Sequence, residues 1–164
     1  MKIGIISDTH DHHRNVLAAV RIFQEQGVEY VLHAGDMVAP FTAKAFAQLD
    51  GARLIAVFGN NEGEKLLLSS TIRGFGGEIH EYSYKGELAG KRIFMTHTHH
   101  DVEEVARSGM YDLVIYGHTH KAETHRVGET LVINPGEATD WLTGRGQVVV
   151  LDTETMETET FTLN

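Results

Sequence analysis

Short apolar runs alternate with amphipathic stretches along most of the chain, a pattern that predicts strands separated by helices. Residues 2–7, "KIGIIS", read as a strand. Residues 15–27 bring Val16, Val20 and Phe23 to one helical face, and Gly27 supplies the stop. "YVLHAG" is a second strand. Pro40 suits the first turn of a helix running to about Leu49, and "RLIAVFG" is a third strand. A short helix follows Asn61. From Glu78 the pattern changes to strands joined by glycine-containing turns, "EIHEYSYKGELAGKRIFMTH". Next comes a helix, "DVEEVARSG", with Asp101 and Glu104 spaced as a capping box, and then a strand, "DLVIYG". The tail, "ETHRVGETLVINPG" and "QVVVLDTETMETETFTLN", predicts two antiparallel hairpins whose alternation places one face in water. The whole chain, 1–164, reads as a single domain without repeats or linkers.

Polar residues gather where these strands end. The first strand runs into Asp8 and His10, the second into Asp36, the third into Asn60. "RIFMT" runs into His97, and "DLVIY" into His118 and His120. Side chains just past the carboxyl ends of neighbouring strands converge on one crevice, where ligands bind in sheets built from strand-helix-strand units. Carboxylates, imidazoles and an amide without sulfur suit manganese (Mn), iron, zinc, cobalt or nickel, and not a structural zinc cage. Seven groups exceed what one such ion takes from protein. With Asp36 shared, two ions receive about four protein ligands each and sit about 3.5–4 Å apart. A water held between them loses a proton near neutral pH and can attack phosphorus in line.

Charge makes this site necessary for any phosphate ester. The formal net charge is −9, so the long-range field repels nucleic acid and anionic lipid. Two divalent ions offset by Asp8 and Asp36 leave the crevice near about +2 and supply the missing local attraction. Cysteine is absent, which removes disulfides, thiolate zinc sites and cysteine nucleophiles. The opening residues form neither a signal peptide nor a membrane span, so the expectation is a cytoplasmic protein.

The ordered blocks "DTH" at 8–10, "GD" at 35–36, "GNNE" at 59–62, "TH" at 96–97 and "GHTH" at 117–120 resemble the calcineurin-like metallophosphoesterase superfamily. The short length and "NPG" at 134–136 are most similar to its small prokaryotic phosphodiesterases. The resemblance implies an α/β fold, a four-layer α-β-β-α sandwich of two mixed β-sheets flanked by helices. It also implies that Asp8, His10, Asp36 and His120 hold one ion while Asp36, Asn60, His97 and His118 hold the other. Gly117 would then let the chain turn tightly between its neighbours. Manganese is the first expectation for both ions, with nickel, iron, zinc and cobalt also compatible. The small branch further suggests a homodimer.

Two departures from the family pattern bear on catalysis. Many members carry a histidine after the "GN" asparagine that assists the leaving group, and here that position is Asn61, an amide that cannot supply a proton. His99 is the nearest replacement, matching a second histidine of the family's "HGH" block, with Thr98 in place of the glycine. Activity is therefore expected to favour activated esters such as aryl phosphodiesters.

Other histidines have simpler readings. His33 is a buried histidine with satisfied nitrogens or a partner of a ligand. His12 and His13 flank the site mouth or face solvent, His80 and His125 lie on the surface, and His100 belongs to a helix entry. Pro135 and Trp141 fall in a segment placed to border the crevice and shape specificity. The expected function is hydrolysis of a small or nucleotide-like phosphodiester by a metal-bridging hydroxide. Alternatives are a phosphomonoesterase or pyrophosphatase using the same site, and a binding scaffold of the same fold. The scaffold predicts eroded ligands, whereas all seven are present. Nucleic acid is disfavoured as a partner because no basic stripe and no capping domain are available to hold a strand.

Overall fold

Among residues 1–163, which the computed structural model describes, eleven strands sort into two mixed sheets. The first sheet contains β1 (Lys2–Ile6), β2 (Tyr30–His33), β3 (Arg53–Val57), β4 (Glu78–His80), β10 (Gln147–Asp152) and β11 (Glu157–Thr162), in the spatial order β11-β10-β1-β2-β3-β4. Strands β1 to β4 are parallel, with Ile5 opposite Leu32 and Leu32 opposite Ile55; β10 pairs antiparallel with both β1 and β11. The second sheet contains β5 (Ser83–Leu88), β6 (Lys91–Thr96), β7 (Leu113–Ile115), β8 (Glu123–Val127) and β9 (Thr130–Asn134), in the order β5-β6-β7-β9-β8. Here β6, β7 and β9 are parallel, and the outer strands are antiparallel. Leu88 lies opposite Lys91, so Ala89 and Gly90, both at positive φ, close a two-residue hairpin.

Period-two alternation assigns each strand's faces to different layers. Ile3 and Ile5 of β1 point between the sheets and meet Leu32, Ile55, Ile93, Met95, Leu113, Ile115 and Ile133. Ile6 points the other way, into the layer of α1 (His13–Gln26), α2 (Pro40–Ala43) and α3 (Lys65–Gly74). Val16, Val20 and Phe23 of α1 are fully or almost fully buried there. Burying a side chain of this size stabilises by roughly 1.5–3 kcal/mol. Helix α4 (Val102–Arg107) covers the outer face of the second sheet through Val102 and Ala106. The four layers are the expected α-β-β-α sandwich.

Three local expectations change. The helix from Pro40 keeps one α turn and then tightens into a 3-10 turn, Lys44–Gln48, which still buries Phe46. Asp101 caps α4 by position but makes no capping hydrogen bond. Its φ of 64° departs from the extended backbone that an aspartate cap needs. Strands β9 and β10 have no wet face, because each lies inside its sheet between two covered layers; water reaches only the outer β8 and β11.

Candidate metal centre

Backbone hydrogen bonds tie the loops after the strands into one platform. Asp8 N donates to Gly35 O (3.0 Å), His10 N to Asp36 O (3.0 Å) and Gly117 N to His97 O (3.0 Å). The last of these joins two loops of the second sheet, the first two join loops of the first, and His118 N bridges the sheets by donating to Asp8 Oδ2 at 3.1 Å. All seven expected side chains meet on this platform.

Two donor groups stand side by side: Asp8, His10 and His120 come together on one side, Asp8, Asp36 and His97 on the other, with Asp36 reaching toward both. In the first, His120 Nε2 lies 3.3 Å from His10 Nε2 and 3.4 Å from Asp8 Oδ1. His10 Nε2 lies 3.5 Å from Asp36 Oδ2. In the second, His97 Nε2 lies 3.4 Å from Asp36 Oδ1 and 2.9 Å from Asn60 Oδ1, which is itself 2.9 Å from His118 Nδ1. Donors bound to one ion at ~2.0–2.2 Å stand about 3–3.6 Å apart; these neighbouring pairs fall in that range, while His10 Nε2 and Asp8 Oδ1 stand 3.9 Å apart.

The proton positions favour a cation as well. His97 Nδ1 is 2.8 Å from the Ala34 carbonyl, which can only accept, so Nδ1 carries a proton and Nε2 turns toward Asp36 and Asn60. His120 Nδ1 donates to Glu137 Oε2 at 2.8 Å, which aims its Nε2 at His10. With its Nδ1 proton committed to Glu137, His120 presents an Nε2 lone pair 3.3 Å from His10 Nε2, where a ring N–H or a metal ion can meet it. Burial opposes ionisation of Asp36, yet hydrogen bonds from His97 and Asn61 outweigh it and hold the carboxyl below the usual carboxylate range. Burial dominates at Asp8 and pushes its carboxyl up, despite Ser7 and the histidines nearby. It also pushes His118 down, with help from His97.

The backbone is strained where the ligands sit. Asp8, His10, Asp36, His118 and His120 have φ of 52°, 38°, 58°, 69° and 59°. Each left-handed non-glycine residue costs about 1–2 kcal/mol, a cost that persists only where surrounding contacts fix the conformation. The glycines nearby do different work from the turn role expected of Gly117. Its φ is ordinary, and a Cβ there would overlap Ser7 Oγ and reach Asp8 Oδ2 at 2.7 Å. The tight turns fall on the histidines themselves, while Gly117 permits the close approach of the two sheets. Gly59 is equally confined: a Cβ would overlap Asp36 Oδ1 and lie 2.5 Å from Asp36 N.

Asn61 clamps Asp36, its backbone N donating to Oδ1 at 2.9 Å and its Nδ2 to Oδ2 at 2.7 Å. His99 stands exposed at the rim, stacked on His118 with ring centroids 5.7 Å apart. His33 is fully buried, its Nε2 3.1 Å from Thr9 Oγ1 and its Nδ1 accepting from Gly35 N. Burial, reinforced by His97, lowers its pKa to about 3, and it touches no ligand atom of the centre. His12 caps α1 through Nδ1, and His13 is exposed. His80 and His125 are half-buried beside Glu78 and Glu103, and His100 is exposed against His99.

Two supporting carboxylates receive no role from the sequence, although one of them closes a recognised block. Glu62, the end of "GNNE", accepts from Gly59 N (2.7 Å) and Met37 N (3.0 Å), locking the Asn60 loop onto the Asp36 loop. Glu137 is fully buried and accepts from His120 Nδ1, Thr139 Oγ1, Leu142 N, Thr143 N and Thr143 Oγ1. Burial opposes its charge, but the bonds from Thr143, His120 and Thr139 win and lower its pKa to about 2. An acidic residue two positions after "NP" was the only available signal. Glu137→Gln keeps the shape but removes the anionic acceptor behind His120. Metal affinity, measured by competition with a chelator, is expected to fall roughly 10–100-fold. Unchanged affinity would leave Glu137 as a loop anchor only.

The arrangement matches known proteins along its length. Residues 1–156 match the model of the calcineurin-like phosphoesterase superfamily domain. Phosphodiesterase MJ0936 of Methanocaldococcus jannaschii is 44% identical over 160 residues, 96% of each chain. A solved archaeal phosphodiesterase superposes with a TM-score of 0.94 at 43% identity, covering 99% of this chain and all of that one. The phosphoesterase Yfce from Escherichia coli shares the fold at 19% identity, with a TM-score of 0.71 and full coverage of both chains. With its donor clusters, its two-sheet sandwich and this match, the chain belongs to the calcineurin-like phosphoesterase superfamily.

Proposed function

We propose that the protein is a metal-dependent phosphodiesterase that binds two divalent ions, manganese foremost, and hydrolyses a small or nucleotide-like phosphodiester. One observation supports this reading: between two clusters of donors, Asp36 turns one carboxylate oxygen toward His10 Nε2 and the other toward His97 Nε2. Asp8, His10, Asp36 and His120 would hold one ion, and Asp36, Asn60, His97 and His118 the other. Divalent ions held so supply positive charge for the phosphate and an ionised water at neutral pH. The 44% identity to a protein named a phosphodiesterase favours diesters over monoesters.

The chain's own residues prepare the site. Asn61 fixes the Asp36 carboxylate through both oxygens, and each oxygen keeps a second lone pair for a ligand role. Glu137 and the Ala34 carbonyl fix the tautomers of His120 and His97. Asn61 has no proton to give a departing alkoxide, so departure depends on the leaving group's own acidity except where His99, the exposed imidazole at the rim, lends a proton.

Metal analysis of purified protein and a panel of aryl monoesters and diesters test the reading. About two divalent ions per chain are expected, with higher kcat/KM on diesters and rates that rise steeply with leaving-group acidity. Preference for monoesters would move the assignment to a phosphomonoesterase. Failure to bind divalent metal would end it.

A further inference from the structure

We infer that Trp141 is a specificity-determining platform that stacks on a planar aromatic arm of the ester, a nucleobase or a simple aryl ring. The inference rests on the phosphoester reading above and names the class of substrate that the site selects.

The indole is exposed by 62%, unusual for the largest apolar side chain in the protein. It is not loosely held. Trp141 N donates to Thr139 Oγ1 at 3.2 Å, and the residues on both sides of it hang on the buried Glu137 carboxylate. That same carboxylate orients His120. The indole is therefore registered against the metal centre by a shared buried anchor. Its ring lies 6.3 Å from the His10 ring at an interplanar angle of 29°, and the His10 ring lies 5.1 Å from that of His120 at 23°. Three near-parallel rings thus run from the donor cluster outward and end on an open aromatic face. His12 closes one side, edge-on to the indole at 6.0 Å.

A phosphate at the centre would sit beside His10, the ring against which the indole packs. Next to the indole, reached through its neighbours His12 and Asp140, lies a mostly polar cleft lined also by Arg14, Asn15, Arg145 and Leu163. Such polar walls suit a sugar-and-base arm better than the apolar side chains of a protein partner, whose contact cores are depleted in charge. A fixed aromatic face binds a flat ring with little loss of conformational freedom. Stacking of one base on one aromatic side chain corresponds to roughly 5–150-fold in affinity.

Trp141 is the single tryptophan of the chain, so its fluorescence reports on the platform directly. Metal-loaded protein is titrated with AMP and, separately, with ribose 5-phosphate. Quenching by AMP well beyond that by the sugar phosphate is expected. The same ligands, with phenyl phosphate and methyl phosphate, are compared as inhibitors of bis(p-nitrophenyl) phosphate hydrolysis. Trp141→Ala is expected to raise the inhibition constants of AMP, phenyl phosphate or both by roughly 5–150-fold. Those of ribose 5-phosphate and methyl phosphate should move less than about 2-fold, and Trp141→Phe should restore most of the difference. A larger effect on AMP assigns a nucleobase, and an effect centred on phenyl phosphate assigns an aryl ring. Equal changes for aromatic and non-aromatic ligands, or no selective quenching, overturn the inference. So does a dimer that Trp141→Ala converts to monomer with inhibition constants unchanged. If the reporter ester is not hydrolysed at all, the proposed function fails, and the fluorescence titration still decides the platform.

Discussion

Asp36→Ala lowers turnover by roughly 10³-fold or more, equivalent to about 4 kcal/mol or more of transition-state stabilisation, and reduces bound metal below two ions per chain. The size follows from position. Asp36 is 1% exposed, and its oxygens lie 3.4 Å from His97 Nε2 and 3.5 Å from His10 Nε2, so its loss removes a donor from both proposed ion sites at once. Other single substitutions among the seven residues remove a donor from one site only. The metal-free fold should weaken by about 1–3 kcal/mol, because Asn61 N and Nδ2 lose the buried carboxylate they bond, a loss only partly offset by removing its repulsion of Asp8. Elemental analysis, turnover on an aryl diester and a thermal melt of the metal-free form check the three parts. Wild-type turnover with full metal content would show that Asp36 is not shared between ions.

The convergence of the seven proposed ligands was legible because each follows an apolar run, and the rule that loops at carboxyl ends converge needs no knowledge of side-chain geometry. Periodicity made the alternation of strands and helices legible, with one apolar face of α1 at helical spacing, whereas the four-layer order came from the family resemblance. What was hidden is long-range or conformational. Glu137 lies 17 positions from His120, and most of its partners belong to its own loop, so no spacing announces it. The left-handed backbone at Asp8, His10 and Asp36 runs against the glycine and asparagine preference that sequence reading relies on; tertiary contacts override it. Asp101 failed as a capping residue for the same reason, since its spacing to Glu104 was right and its φ was not. Trp141 was legible as a border residue, but its registration to His120 exists only through Glu137.

Gly117→Ala tests how tightly the two sheets must meet, and it is expected to destabilise the protein by about 1–3 kcal/mol and lower activity roughly 100-fold. The new Cβ would overlap Ser7 Oγ, with Asp8 Oδ2 at 2.7 Å and Ser7 Cβ at 3.0 Å. Neither partner has room to retreat, because Ser7 and Asp8 are fully buried. Gly117 is pinned too, its N donating to His97 O at 3.0 Å and its O accepting from Asn134 Nδ2 at 3.0 Å. Since its φ is ordinary, alanine adds no backbone strain, and the whole effect is steric. Relief comes only by moving Asp8 or parting the sheet ends, and either displaces a proposed ligand. Gly63→Ala is the control: a Cβ there meets nothing within 4 Å, and stability should stay within about 0.5 kcal/mol. Ser7→Gly combined with Gly117→Ala removes the overlap with Ser7 but keeps the contact with Asp8. The double variant should therefore regain stability while metal affinity stays low, a separation that denaturant melts and chelator competition can read. Wild-type stability and metal content in Gly117→Ala alone would mean that the sheet ends have slack, and that the strain on the ligand backbones is held by some other contact.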